Sequence, residues 1–227
     1  TNICNFNNII YSMIVYNNPI RKRNYYIQNN TLNNKLILFN AIDTISLNKY
    51  NLLINIALKK KIISESYIKK AISYRKKIYY IGKLGVALSH INVWNKFKFL
   101  PNKWILILED DCYIKNINVN IDSFINNCIN EVINIKPDCK YIKLYINNFN
   151  KKKQFSNSNK ISGNIYKPII PNCSNVAYLL HKDGIDIINK HLYPLKTFFD
   201  HSISYLFNHL NAIIYKNSIF INMGADS

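Results

Sequence analysis

The sequence WILILEDD at residues 104–111 is the stretch that decides the fold. Five apolar residues precede three consecutive carboxylates, in a chain with only 12 acidic residues among 227. Such a triplet would arise by chance in about one in thirty chains of this composition. A short apolar run is typical of a buried strand in an α/β sheet, and such sheets bind ligands at the carboxyl ends of their strands. The acids lie at that end.

The three acids indicate a metal site. If extended geometry continues through them, Glu109 and Asp111 point to one side of the strand and Asp110 points to the other. Two convergent carboxylates suit a hard cation such as Mn²⁺ or Mg²⁺, which would also offset their mutual repulsion. We therefore expect Glu109 and Asp111 to bind the metal. A solvated acidic turn is the alternative, because acidic residues are common in turns.

Length and composition predict one domain, spanning residues 1–227, because 48% hydrophobic residues suffice for a core of this size. The formal net charge of +18 and the basic runs at 21–23, 59–61 and 151–153 suggest a polyanionic partner. Abundant Lys, Asn, Ile and Tyr with scarce Gly indicate a compositional bias instead, and the runs match no basic-aromatic motif. We expect no specific nucleic-acid partner, only weak binding that salt removes.

The cysteine pattern and the hydropathy exclude other classes. Five cysteines without a CxxC pair argue against a disulfide framework and a zinc cluster. No apolar run has the length of a transmembrane segment, and the amino terminus lacks a signal-peptide pattern. We expect a protein of the cytoplasm or of a host cytoplasm. It could also bind a membrane surface or be part of a longer chain.

Strand and helix patterns alternate along the chain, which predicts an α/β fold. Strands are predicted at 9–16, 36–42, 104–108, 141–146, 175–180, 212–215 and 219–222, and helices from Pro19 and at 45–58, 65–75, 84–98, 121–133, 185–191 and 197–209. Gly82 and Gly85 predict a turn. The polar composition of residues 147–163 predicts a long mobile loop.

Two further residues carry alternative interpretations. His90 projects between the apolar and polar faces of the predicted helix at 84–98. A histidine there is either a packing residue or a ligand. Asp200 lies near the start of the predicted helix at 197–209, where an N-cap is its simplest role.

Several ordered motifs resemble glycosyltransferase family 25, which includes lipooligosaccharide and procollagen galactosyltransferases. The strongest are GKLGVALSH at 82–90 with Trp94, and LILEDD at 106–111. The resemblance covers nearly the whole chain, with further matches at YNN 16–18, Arg21, Arg23, FNAID 39–43, NVAYLL 175–180, Gly184, Pro194 and Asp200. Lys83, Val86 and Thr44 depart from the family, which usually has Glu, Cys and Gly there.

The resemblance implies a GT-A type, Rossmann-like α/β sandwich that binds a nucleotide sugar. It also implies an inverting, metal-dependent transfer of galactose or glucose from a UDP-sugar to a glycan or protein acceptor, including collagen-like protein. On this basis Glu109 and Asp111 would hold Mn²⁺ or Mg²⁺ on the diphosphate. Asp200 is the expected base, with Asp43 and Asp226 as alternatives, and the expected donor contacts are Arg21, Asp43, Ser89, His90 and Asp110.

Two other functions fit the same residues. A metal-dependent phosphohydrolase or nuclease would use the same acids and the basic surface. A non-catalytic protein that binds a nucleotide sugar is the other alternative, suggested by Lys83 in place of the usual glutamate.

Overall fold

The computed structural model describes residues 9–44, 47–73, 77–115, 119–170 and 174–222. Strands and helices alternate along these residues, as predicted. In chain order they are β1 Ile9–Val15, α1 Pro19–Thr31, β2 Leu36–Asn40, α2 Leu47–Lys59, α3 Glu65–Ser73, α4 Lys77–Phe97, β3 Trp104–Glu109, β4 Cys112–Ile114, α5 Ile121–Ile135, β5 Tyr141–Lys143, α6 Asn148–Gln154, a short 3₁₀ turn Asn157–Asn159, β6 Lys160–Ser162, β7 Ile165–Tyr166, β8 Ala177–His181, α7 Lys182–His191, α8 Phe199–Tyr205, β9 Ile213–Tyr215 and β10 Phe220–Asn222.

A mixed sheet with the order β2-β1-β3-β8-β5-β9-β7-β6 forms the centre of the molecule. Strands β2, β1 and β3 are parallel, whereas β8 runs antiparallel to both β3 and β5. A separate antiparallel pair consists of β4 and β10, and β4 follows β3 closely in the chain. The α/β prediction is therefore confirmed.

Strand β3 is buried on both faces, because its side chains alternate between two hydrophobic cores. Leu106 and Leu108 pack with α1 and α5, while Ile105 and Ile107 pack with α4, α7 and α8. All four are fully buried. Full burial of such a side chain contributes about 1.5–3 kcal/mol, so this strand fixes the position of the acids that follow it.

Two local predictions were wrong. The predicted turn at Gly82 and Gly85 lies inside α4, which begins at Lys77. The predicted mobile loop at 147–163 contains α6, the 3₁₀ turn and β6. Gln154, at the end of α6, explains the second case, because its buried side chain donates to the carbonyl oxygen of Lys167 and accepts from the Ile169 amide.

The structure also bears on the cysteines and on membrane-spanning segments. Cys112, Cys128 and Cys139 are buried free thiols, and Cys4 and Cys173 lie outside the described residues. Within the described parts of the chain, no helix combines the length and the apolar character that crossing a bilayer requires.

Candidate functional site

A cleft opens at the carboxyl ends of β1, β2 and β3. The chain leaves β1 toward β2 on one side and later reaches β3 on the other side, so the sheet order reverses at β1, and α/β sheets bind ligands in the crevice at such a point. The cavity there has a volume of about 250 Å³. Its lining consists of Ile14, Tyr16, Ala41, Ile42, Thr44, Gly82, Gly85, Val86, Ser89, His90, Glu109 and Asp110. Four predicted site residues, Ser89, His90, Glu109 and Asp110, thus meet in one cavity.

The acid triplet lies at a turn and not on a continued strand. Strand β3 ends at Glu109, and Asp110 and Asp111 form a turn before β4 begins. The extended geometry that would place Glu109 and Asp111 on one side of the strand therefore does not continue through the acids. The Asn24 side chain, from α1, holds this turn by donating to the carbonyl oxygens of Asp110 at 2.7 Å and Cys112 at 3.0 Å.

Arg21 contacts both aspartates of the turn. Its Nη1 atom lies 3.3 Å from Asp110 Oδ1 and 3.9 Å from Asp111 Oδ2. Asp110 also accepts a 2.7 Å hydrogen bond from the Tyr16 backbone amide at the end of β1. Burial raises the pKa of Asp110, although the Tyr16 amide and Arg21 oppose that shift. Asp110 therefore joins the ends of β1 and β3, and Arg21 places a cation beside the carboxylates.

Glu109 is oriented by a buried hydrogen-bond chain. Glu109 Oε1 lies 3.1 Å from His90 Nε2, His90 Nδ1 lies 2.8 Å from the Tyr178 hydroxyl, and that oxygen accepts from Trp94 Nε1 at 3.1 Å. Burial raises the pKa of Tyr178 well above its ordinary value, so its hydroxyl keeps its proton. The arrangement that satisfies every group has Tyr178 donating to Nδ1 and the Nε2–H of His90 donating to Glu109.

His90 is thus both a packing residue and a positioning residue. It is 1% exposed and stacks on Phe199, with ring centroids 4.6 Å apart. Its Nε2 contacts Glu109, and both residues line the cavity. The sequence did not indicate that Tyr178 and Trp94 would complete this chain, since buried aromatics look alike at the level of hydropathy.

The carboxylates carry a surplus of negative charge. Burial raises the pKa of Glu109, the hydrogen bond from His90 lowers it, and the charges of Asp200 and Asp111 raise it further. Asp111 Oδ1 is buried and has no hydrogen-bond partner. A buried carboxylate oxygen without a partner is costly, and a cation would satisfy it.

This donor set fits a metal that substrate phosphates help to bind. Among the described residues, no group of three or more His, Cys, Asp or Glu side chains is placed to hold an ion. Mg²⁺ in nucleotide sites is commonly held by one or two carboxylates together with substrate phosphates and water. Glu109 and Asp111 supply two such carboxylates, so the residues present fit that pattern.

Ser89 attaches the loop after β2 to α4. Its Oγ accepts from the Ile42 amide at 2.8 Å and donates to the carbonyl oxygen of Gly85 at 2.6 Å. Asp43, next in that loop, accepts a long 3.5 Å hydrogen bond from the Tyr16 hydroxyl. Ser89 therefore builds the cavity wall, and Asp43 lies beside the cavity without lining it.

Gly85→Ala is expected to destabilise the fold. An added Cβ would lie 2.5 Å from the Ile42 carbonyl oxygen and 2.9 Å from Thr44 Oγ1, so the loop would have to move. Overpacking of this kind costs about 1–3 kcal/mol. Gly82→Ala is the matched control in the same helix, because its Cβ meets nothing within 4 Å. Its better helix propensity is worth up to about 1 kcal/mol. Urea unfolding should give opposite signs for the two variants, and equal signs would contradict this account.

Asp200 lies at the second position of α8, where Phe198 and not Asp200 occupies the N-cap. Its Oδ1 accepts from Asn175 Nδ2 at 2.9 Å, and Asn175 accepts in turn from the buried Tyr141 hydroxyl at 2.7 Å. Its Oδ2 lies 3.8 Å from Lys83 Nζ. The N-cap interpretation was therefore wrong. Asp200 contacts Asn175, from the segment before β8, and Lys83, from α4, while Tyr141 of β5 holds Asn175. Asp226 lies outside the described residues.

Comparison with known proteins defines the class. Residues 9–203 match the model of glycosyltransferase family 25, described as an LPS biosynthesis protein family. The chain belongs to glycosyltransferase family 25, and the expected resemblance is confirmed. Among solved structures, it is similar to a glycosyltransferase involved in the glycosylation of the major capsid of PBCV-1, with 13% identity, a TM-score of 0.46, and coverage of 96% of this chain and 94% of the other. No curated protein matches.

Proposed function

We propose that this glycosyltransferase moves galactose or glucose from a UDP-sugar to a hydroxyl of a glycan or protein acceptor, with inversion at the anomeric carbon and with Mn²⁺ or Mg²⁺. The observation that carries the proposal is the position of Glu109 in the cavity at the reversal of the sheet, with the charges of Asp111 and Asp200 close enough to raise its pKa. A nucleoside diphosphate with its metal would offset the charge of such carboxylates at this end of the sheet.

The residues at the end of β3 would hold the donor diphosphate. Glu109, fixed by His90, and the unpartnered Oδ1 of Asp111 would be the metal ligands. The bound metal would stabilise the negative charge that develops on the leaving diphosphate. Arg21 is part-exposed beside the same turn, so it would contact the donor phosphates. Asp110 is anchored by the Tyr16 amide and lines the cavity, so it would orient the turn and contact the donor ribose.

Asp200 would act as the base. Inversion requires the acceptor hydroxyl to attack from the face opposite the leaving group, where a carboxylate takes its proton. The Asn175 amide fixes one carboxylate oxygen of Asp200, and the second oxygen, beside Lys83, would accept that proton. Lys83 stands where the family usually has glutamate, so this ion pair is a feature of this chain.

The Lys83 contact also favours a second candidate function, which is binding of a nucleotide sugar without turnover. An ammonium group 3.8 Å from the proposed base competes with the acceptor hydroxyl for that carboxylate. The two candidates agree on donor binding and differ in whether UDP is released.

An assay of UDP release separates these functions. We expect release from UDP-galactose or UDP-glucose in the presence of Mn²⁺, stimulated by an acceptor and lost with EDTA. Donor binding in calorimetry without release from any UDP-sugar would support the non-catalytic candidate. Cleavage of a phosphodiester substrate at the same acids would support a phosphohydrolase or nuclease and contradict the proposal.

A further inference from the structure

A second cavity lies apart from the cleft, between α3, the end of α7 and α8. It has a volume of about 390 Å³, and none of the described residues that line it also lines the first cavity. The described lining consists of Lys70, His191, Leu192, Tyr193, Pro194, Lys196, Thr197, Ser202, Tyr205 and Leu206. These residues include two lysines and a histidine but no carboxylate.

The chemistry of this lining suits an anionic sugar. Lys70 and Lys196 are exposed ammonium groups, which bind carboxylate, phosphate or sulfate as point charges. Hydroxyl groups come from Thr197, Ser202 and two tyrosines, while Tyr205 is 57% exposed and offers a ring face. An exposed tyrosine pairs an apolar ring, which can pack against a sugar, with a polar hydroxyl.

Helix α8 connects this cavity to the proposed base. Asp200 at its start contacts Asn175 and Lys83, whereas Ser202 and Tyr205, later in the same helix, line the second cavity. Five residues of helix advance the chain by roughly 7.5 Å. One or two further sugar units would span that separation from a reacting hydroxyl at Asp200.

We propose that this cavity is an acceptor subsite for a sugar that carries an anionic group. This inference rests on the proposed function, since it names the acceptor class of the same transferase. The lysines would bind the anionic group, and Tyr205 would pack against the ring that carries it. The enzyme would then select acceptors by a charge that lies beyond the reacting sugar.

The direct test measures binding without turnover. Calorimetry would compare disaccharides carrying glucuronate, a 6-phosphate or a 6-sulfate with the neutral disaccharide, and would include inorganic phosphate and a short DNA. We expect at least one anionic disaccharide to bind at least tenfold more tightly than the neutral one and than inorganic phosphate. The double variant Lys70→Gln/Lys196→Gln should lose that preference, while Lys160→Gln, an exposed lysine on β6, should keep it.

Each result distinguishes this inference from the proposed function. Equal affinity for neutral and anionic disaccharides, no binding of any of them, an unchanged preference in the double variant, or tighter binding of DNA would overturn the subsite. UDP release that is independent of acceptor should be the same in the double variant and in the native chain. If native UDP release is absent while the anionic preference is present and lost in the double variant, the subsite stands and the transferase proposal fails.

Discussion

Asp200→Asn is expected to lower the rate of sugar transfer by about a hundredfold or more, because a general base of this type supplies about 10²- to 10⁴-fold in rate. The substituted amide keeps the shape of the side chain and an oxygen that accepts from Asn175. It removes the site where the acceptor proton would go. Transfer under saturating UDP-sugar and acceptor measures the effect directly.

Stability and donor affinity should not change in this variant. The ion pair that it removes, between Lys83 and Asp200, is long and partly exposed, and such pairs contribute about 0–1 kcal/mol. Asp186→Asn is the matched control, since it removes an exposed carboxylate on α7 that also pairs with a lysine, Lys98. The control should transfer at the native rate. Near-native transfer by Asp200→Asn would exclude Asp200 as the base and direct the search to Asp43 or Asp226.

Strand β3 shows what the sequence predicts well. Five apolar residues in a row allow burial on both faces, and the structure buries all five. The position of the acids at the carboxyl end follows from that strand alone. The apolar face of α4 could be predicted equally well from helical spacing. The residues that form it are all buried, namely Leu84, Ala87, Leu88, Ile91 and Trp94.

Glycine misled the prediction for the start of α4. A glycine costs a helix about 1 kcal/mol relative to alanine, so two of them favoured a turn. The structure shows why Gly85 is tolerated, since the carbonyl of Ile42 occupies the space that a Cβ would need. That contact joins residues 43 positions apart in the chain and is invisible to a local pattern.

The side chains that fix the site were the hardest to predict. Glu109 depends on His90 and Tyr178, and Asp200 depends on Asn175 and Lys83. Each of these contacts joins residues of separate helices or strands, so the periodicity of one segment cannot predict it. The resemblance pointed to Asp200 and to the departure at Lys83, and only the packing of α4 against α8 brings these two residues together.

Asp111→Asn is expected to abolish the Mn²⁺-dependent part of UDP binding. The carboxylate and the amide have the same shape, but the amide loses the charge that a hard cation requires of its ligands. The affected oxygen is the buried Oδ1 that has no hydrogen-bond partner. Calorimetry of UDP with and without Mn²⁺ measures the effect. Asp138→Asn is a suitable control, since its exposed carboxylate contacts Asn211 away from the cleft.

The folded state should tolerate Asp111→Asn because the native charge is unfavourable without a cation. Asp111 contributes to the raised pKa values of Glu109 and Asp110, so it repels both in their ionised forms. Its contact with Arg21, at 3.9 Å, is too long to offset that repulsion. Without metal, the variant should therefore unfold at the native temperature or slightly above it, and Mn²⁺ with UDP should no longer raise that temperature. If Mn²⁺ still strengthens UDP binding as in the native chain, Asp111 is part of an acidic turn and does not bind the metal.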